Sequence, residues 1–286
     1  MSARTATRPA LRRTQRRPRL GTLAALLLGV VYLVPLLWIV LTALKSDEVI
    51  ASQPNAILFT PSLSTFSDIL EVASTSVWTS FRVAAAVTVL VLVVAVPAAY
   101  ALGRRTGPVW AKVVAWVLAG FLVLQMVPQP MAVIPLYGIL AEWQLVNDVW
   151  GLVLADVALL APFAVLLMRP FVLGIPTELY EAAQMDGASG FRTFRSVVLP
   201  MLPNGIATVG AIVFIITWGE FIYATTLLTD PAQLPVSGLL AQQTSLYATS
   251  WNRLMGLALL TSIPLLVVFL VAKRRLVEGL SVGAVK

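Results

Sequence analysis

The chain has 286 residues, of which 59% are hydrophobic and only 12% charged, and its mean hydropathy of +0.89 is far above that of a soluble globular domain. It contains no Cys and no His, which excludes disulfides, thiol nucleophiles, imidazole acid–base chemistry and the usual transition-metal ligands. The net charge of +7 arises from 20 Lys and Arg against 13 Asp and Glu, and the meaning of that excess depends on where the cations fall.

A helix rises about 1.5 Å per residue and must cross about 30 Å of hydrocarbon, so uncharged apolar runs of roughly 20 residues are candidate spans. Residues 1–19 precede the first run and carry seven Arg. They read as a cytoplasmic tail against anionic headgroups; no folded nucleic-acid-reading module accompanies them, so no nucleic-acid partner is expected. The tail also resembles the basic start of a signal peptide. The 25-residue run Leu20 to Leu44 is longer than a signal h-region of about 7–15 residues, however, and an uncleaved first span is expected. From Lys45 to Arg82 the chain carries Pro54, Pro61, several Ser and Thr, and Asp47, Glu48, Asp68 and Glu71. This reads as an external surface loop with one short helix, serving either as a partner contact or as a solvated connector.

The second and third runs are Val83 to Leu102 and Val113 to about Leu136. Inside the third, Met126-Val-Pro-Gln-Pro130 places two prolines, each of which removes an intrahelical hydrogen bond. The helix either breaks there to line a cavity or simply ends. The fourth run, Val149 to Met168, is interrupted by Asp156, and the fifth, about Leu202 to Thr229, by Glu220; the sixth is Leu254 to Ala272. Pro97, Pro162 and Pro264 are expected kinks. The external piece from Asp230 to Asn252 is again either a contact or a connector. Continuous runs of this length exclude barrel strands and predict an all-α polytopic membrane protein with six transmembrane helices. The membrane domain covers 20–276, with a polar loop over 170–200, and 277–286 forms a C-terminal tail.

Orientation follows from the cations, because alternate connections share a side. Seventeen of the 20 Lys and Arg fall in the two tails, the second-to-third connection and the fourth-to-fifth connection; only Lys45, Arg82 and Arg253 fall opposite. Both termini and the 170–200 loop are therefore expected in the cytoplasm of a multi-pass cell-membrane protein.

Within that loop Thr177 can cap a helix that starts after Pro176, with Glu178 and Glu181 in its first turn complementing the helix dipole. Gly187 can stop it after Asp186, and Ala182 and Ala183 are small enough to admit a close neighbour. Ser189 can cap a second helix carrying Arg192 and Arg195, which leads through Pro200 into the fifth span. A rigid elbow suited to a groove results.

The run Glu181-Ala-Ala-Gln-Met-Asp-Gly187, followed after nine residues by Val197-Val198-Leu199-Pro200, resembles the Glu-Ala-Ala signature of ABC-importer permease subunits, with Val197 replacing the usual Ile. The resemblance extends over most of the chain and is closest to carbohydrate importers of the maltose-transporter type. It includes Ile134-Pro-Leu-Tyr137, Pro162-Phe163, Ile175-Pro-Thr-Glu-Leu179, Asp186-Gly-Ala-Ser189 and the tail Gly279-Leu-Ser-Val-Gly-Ala-Val-Lys286, typical of the smaller permease partner. Trp218-Gly-Glu-Phe221 departs from the family's commoner Trp-Asn-Asp-Phe. The resemblance implies a type I importer permease fold and a second permease as heterodimer partner, with a dimer of ATPases and an extracellular sugar-binding protein. Glu178, Glu181, Ala182, Ala183, Asp186, Gly187, Leu199 and Pro200 then form the ATPase-coupling elbow. Every lysine follows a residue other than glycine, so the chain has no Walker A pattern; ATP and Mg belong to the partner. The chain itself is expected to hold no catalytic residue and no metal site, and the implied mechanism is alternating access.

Polar residues inside spans face a wet cavity or a partner. Glu220, beside Trp218 and Tyr223, is suited either to sugar hydroxyls or to a basic group of the second permease. Asp156, Gln125, Trp218 and Tyr223 are the other pathway candidates, with interhelical hydrogen bonding as Asp156's alternative. Two different classes remain: an ion-driven secondary transporter using Asp156 and Glu220, or an ABC permease for a non-sugar solute. A polytopic enzyme would need clustered catalytic groups that the sequence does not offer.

Overall fold

The computed structural model describes residues 19–104, 107–244 and 249–284. Most of the Arg-rich tail and the terminal Lys286 lie outside the described residues. Helix α1 (Arg19–Ala43) is apolar on every side, and none of its most apolar window is buried within the chain. A helix of that kind is solvated by lipid or by another subunit. At its end Lys45 is buried, with Nζ donating to the Pro54 carbonyl at 2.6 Å and lying over the rings of Trp38 and Phe59 at 5.0 and 5.5 Å. This hooks the following segment onto α1. Helix α2 (Asp47–Ser52) follows, its first turn holding Asp47 and Glu48 and its Val49 N–H donating to Ser46 Oγ.

Helix α3 (Ser64–Arg104) is continuous over 41 residues and corrects the expectation of a loop up to Arg82. The polar composition of 64–82 conceals a helical face. Thr65, Ile69, Ala73, Ser76, Thr79, Ser80 and Val83 are buried at intervals of one or about one turn, and Ile69 and Ala73 cluster with Leu239 and Leu257. The third run breaks rather than ends: α4 (Pro108–Gln125) stops, and α5 (Gln129–Glu142) restarts after Pro128. Gln144 and Asn147 then turn the chain with φ of 58° and 61° into α6 (Val149–Leu173). Asn147 Oδ1 accepts from the backbone N–H and hydroxyl of Thr229, at 2.7 and 2.8 Å, tying this turn to the fifth run.

The polar loop comprises α7 (Thr177–Met185), α8 (Gly190–Thr193), a π-helical turn at Phe194–Val198 and α9 (Leu199–Met201). Helix α10 (Pro203–Trp218) leaves the loop bent by 76° from the segment before it. The fifth run was expected to be one helix to Thr229; it instead stops at Trp218 and restarts as the short α11 (Ile222–Leu227). A 3₁₀ turn at Pro231–Gln233, α12 (Val236–Gln242) and α13 (Trp251–Ala284) complete the described chain. Among the described residues five helices, α1, α3, α4, α6 and α13, are long and apolar enough to cross a membrane, and there are six if the bent pair is one span. Pro97, Pro162 and Pro264 lie inside helices that continue through them.

The core is the seam of α3, α6 and α10. The buried cluster along it takes Ala95 and Ala99 from α3, Ala155, Ala164 and Met168 from α6, and Val209 and Val213 from α10. Small residues let these backbones approach closely, which supplies packing attraction that lipid cannot match. At Gly205 an added Cβ would stand 2.7 Å from Phe171 Cγ, so only glycine lets α10 reach the end of α6.

Candidate functional site

Two features differ from simple span packing: the elbow at one end of the bundle and a polar centre inside it. At the elbow, Pro176 occupies the cap position of α7 with φ −55° and ψ 137°. This corrects the expected cap, since Thr177 is already the first helical residue. Proline's fixed φ supplies the entry geometry and displaces the Thr hydroxyl from its capping role. It also leaves only Glu178 in the first turn, with Glu181 a turn further on.

At its C-terminal end α7 closes with a complete Schellman motif. Ala188 N–H donates to Ala183 O at 2.9 Å and Gly187 N–H to Gln184 O at 3.0 Å, with Gly187 at φ +68°. Asp186 is the terminal cap residue. Ser189 then caps α8, accepting from Arg192 N–H at 3.3 Å, and the buried Thr193 hydroxyl donates to Ser189 O at 3.1 Å. Sequence reasoning missed what holds the elbow to the bundle. The Tyr100 hydroxyl donates to Gly190 O at 3.2 Å, and its ring packs on Tyr180 and Phe194 at 6.5 and 5.3 Å. Arg104 lies over the same Tyr100 ring at 5.7 Å. The only prior signal was an aromatic near the end of an apolar run. Burial, then the neighbouring Tyr100, push the Tyr180 phenol above its usual value, while Arg104 opposes them.

The outward side of the elbow is open. Glu178, Glu181, Ala182, Asp186, Gly187, Leu199 and Pro200 are exposed, whereas Ala183 is buried against the rest of the loop. Met185 and Phe191 flank the turn with 89% and 73% of their surfaces exposed, more than an isolated chain needs to leave uncovered. Rigid backbone with exposed apolar ends can seat a partner surface.

The five pathway candidates divide among three cavities. Gln125 Nε2 donates to Leu159 O at 3.1 Å and, with buried Tyr223, lines an apolar cavity of about 430 Å³ between the α4–α5 break and α6. Trp218 stacks on Phe214 at 5.8 Å and lines a second cavity, of about 530 Å³, with Phe221 and residues of α12 and α13. Asp156 and Glu220 share a third, of about 10 Å³, with Ser80, Thr217 and Ser237. Glu220 is turned to its own backbone: its two carboxylate oxygens accept the Tyr223 and Ala224 N–H groups, each at 2.8 Å. It caps α11 at the break in the fifth run, a role that neither sequence alternative contained. Ser80 Oγ does the same for α12, accepting from Val236 N–H at 2.8 Å.

The described residues thus form a broken-helix membrane bundle with a partly apolar elbow at one end. Residues 95–279 match the family model described as the binding-protein-dependent transport system inner membrane component, and the chain belongs to that family of multi-pass inner-membrane subunits. It is 32% identical to the probable ABC transporter permease protein y4oR of Sinorhizobium fredii over 94% of this chain and 96% of that protein. It is 30% identical to the diacetylchitobiose uptake system permease protein DasC of Streptomyces coelicolor, covering 93% and 95% of the two chains. In fold it is similar to a bacterial ABC transporter involved in the import of the acidic polysaccharide alginate, with a TM-score of 0.73 at 20% identity over 93% of this chain and 99% of that one. Membership of this family removes the ion-driven secondary transporter from consideration.

Proposed function

We propose that this chain is a permease subunit of an ATP-driven importer for a sugar or oligosaccharide, forming half of the translocation pathway beside a second permease. Full-length similarity to a diacetylchitobiose uptake permease supports the substrate class. A dimer of ATPases, carrying ATP and Mg, docks on the elbow formed by Glu178, Glu181, Ala182, Ala183, Asp186, Gly187, Leu199 and Pro200. An extracellular sugar-binding protein delivers the solute to the other face. Both termini lie in the cytoplasm with the elbow, as the distribution of Lys and Arg supports.

The observation that carries this reading is the elbow itself. Its backbone is closed by the Gly187 turn and anchored through Tyr100, yet Met185 and Phe191 remain exposed. Closure of the ATPases on ATP moves a groove, the elbow moves with it as a rigid lever, and the π-helical turn transmits the displacement into α10. The five pathway candidates, Gln125, Asp156, Trp218, Glu220 and Tyr223, stand where such motion would reshape the cavities around the α4–α5 and α10–α11 breaks. Gently solubilised native membranes test the assignment. The chain should co-purify with an ATPase, a second permease and a binding protein, and the reconstituted complex should take up labelled oligosaccharide only with ATP. A chain that purifies alone and moves solute on an ion gradient refutes it.

A further inference from the structure

Within the third cavity, three buried oxygens bond nothing among the described residues: Asp156 Oδ1, Asp156 Oδ2 and Thr217 Oγ1. Asp156 is completely buried and Thr217 is 6% exposed. Both line a cavity of about 10 Å³, the room of one small guest, whose other polar contributors are Ser80, Ser237 and Glu220. Every polar side-chain atom on this wall is therefore an oxygen, and no Lys or Arg lines it.

The charges are unevenly met. Glu220 is compensated by two backbone N–H groups at the start of α11, whereas the Asp156 carboxylate receives no donor. An uncompensated carboxylate at this depth is costly. Protonating Asp156 would remove its charge and let one O–H donate to a neighbouring oxygen, but a single directional proton would engage only one of the remaining oxygens on this wall and leave the others unmet. A cation answers both demands at once, because it needs only lone pairs and has no directional proton. The all-oxygen set selects a hard ion. A divalent ion such as Mg²⁺ would retain several waters, for which this volume has no room.

We propose that Asp156 and Thr217, with Glu220 and the Ser80 and Ser237 hydroxyls around them, bind one dehydrated monovalent cation of sodium size. The site joins α3, α6, α10, α11 and α12, so an ion there ties the break in the fifth run to the core seam. It is a structural ion, held against a carboxylate that is completely buried.

The test uses the full chain purified with whatever subunits accompany it, and reads its thermal unfolding midpoint in sodium, potassium or choline chloride at constant ionic strength and pH. Sodium should raise the midpoint saturably, by roughly 5 °C at a hundredfold excess over its dissociation constant, and potassium and choline should not. Asp156→Asn should abolish the sodium response, and Thr217→Val should shift the half-saturating concentration upward at least about tenfold, the change expected for one lost charge-assisted ligand. Should Asp156→Asn fail to fold, the wild-type ion comparison and Thr217→Val still decide. Equal midpoints in the three salts overturn the proposal, as does a sodium response that persists in Asp156→Asn. A cation-independent midpoint with Asp156→Asn as stable as wild type identifies Asp156 as a neutral acid instead.

Discussion

Gly187 offers a perturbation whose magnitude is set almost entirely by backbone conformation. Its φ is +68°, and an added Cβ would meet nothing within 4 Å, so a side chain here costs conformational energy without collision. For an ordinary L-residue the left-handed region costs about 1–2 kcal/mol, more for a β-branched one and less for Asn. The strain is relieved by opening the turn, which sacrifices the bonds from Ala188 to Ala183 and from Gly187 to Gln184. The α3–α6–α10 seam lies away from this turn and should stay intact. A partner that binds only the closed elbow sees its apparent Kd divided by the closed fraction, so 1–2 kcal/mol becomes about a 5–30-fold loss of affinity. The assay is binding of purified ATPase to the detergent-solubilised permease, comparing wild type, Gly187→Asn and Gly187→Val. Asn should lie within about threefold of wild type and Val at or beyond the upper end of that range, with thermal midpoints lowered by no more than a few degrees. If Val binds as tightly as glycine, the closed turn is not what the partner recognises.

Other positions separate rigid from flexible neighbours. Gly205→Ala drives a Cβ into the Phe171 ring and should destabilise the protein by about 1–3 kcal/mol, whereas Gly190→Ala meets only the flexible end of Arg104 and should cost under about 0.5 kcal/mol; thermal midpoints distinguish them. Glu220→Ala orphans two buried N–H groups and should cost about 2 kcal/mol or more, with Glu220→Gln, which keeps one acceptor, in between. Ratios of unfolding midpoints across the three proteins check the order. Because burial raises the Tyr180 phenol, its neutral-form contribution is fully present below the unfolded value and is lost as pH rises through the higher folded one. Phenolate absorbance of wild type minus Tyr180→Phe should therefore titrate above the ordinary tyrosine value, and the elbow should loosen only in strongly alkaline solution.

The spans and the elbow were legible because each rests on a signal that is local in sequence. Hydrocarbon thickness sets the length of an apolar run, and capping chemistry places a helix end within a residue or so, as Ser189 and Gly187 show. The break at Pro128 was legible for the same reason: proline carries its effect in its own ring. The first half of α3 was not, since Ser, Thr and acidic residues between 64 and 82 have loop composition. Their helical state depends on α12 and α13, which lie over 150 residues away in the chain, as the bond from Val236 to Ser80 illustrates.

The fifth run shows most clearly what a linear reading leaves out. Trp218-Gly-Glu-Phe221 contains no proline, and an apolar run with one carboxylate reads as a span that tolerates a functional charge. The same carboxylate is what allows the span to stop. A helix restarting inside the bilayer exposes N–H groups that lipid cannot satisfy, and Glu220 supplies two acceptors for them at 2.8 Å. Residue type alone cannot distinguish a carboxylate aimed at a solute from one aimed at its own backbone, because both demand the same acceptor in the same place. Hydrogen bonding separates them here: Glu220 and Asp156 are both buried, but Glu220 spends both oxygens on α11 while Asp156 spends neither. The residue that looked most like a ligand contact is bonded to its own backbone in this structure, and the less conspicuous one has no partner among the described residues.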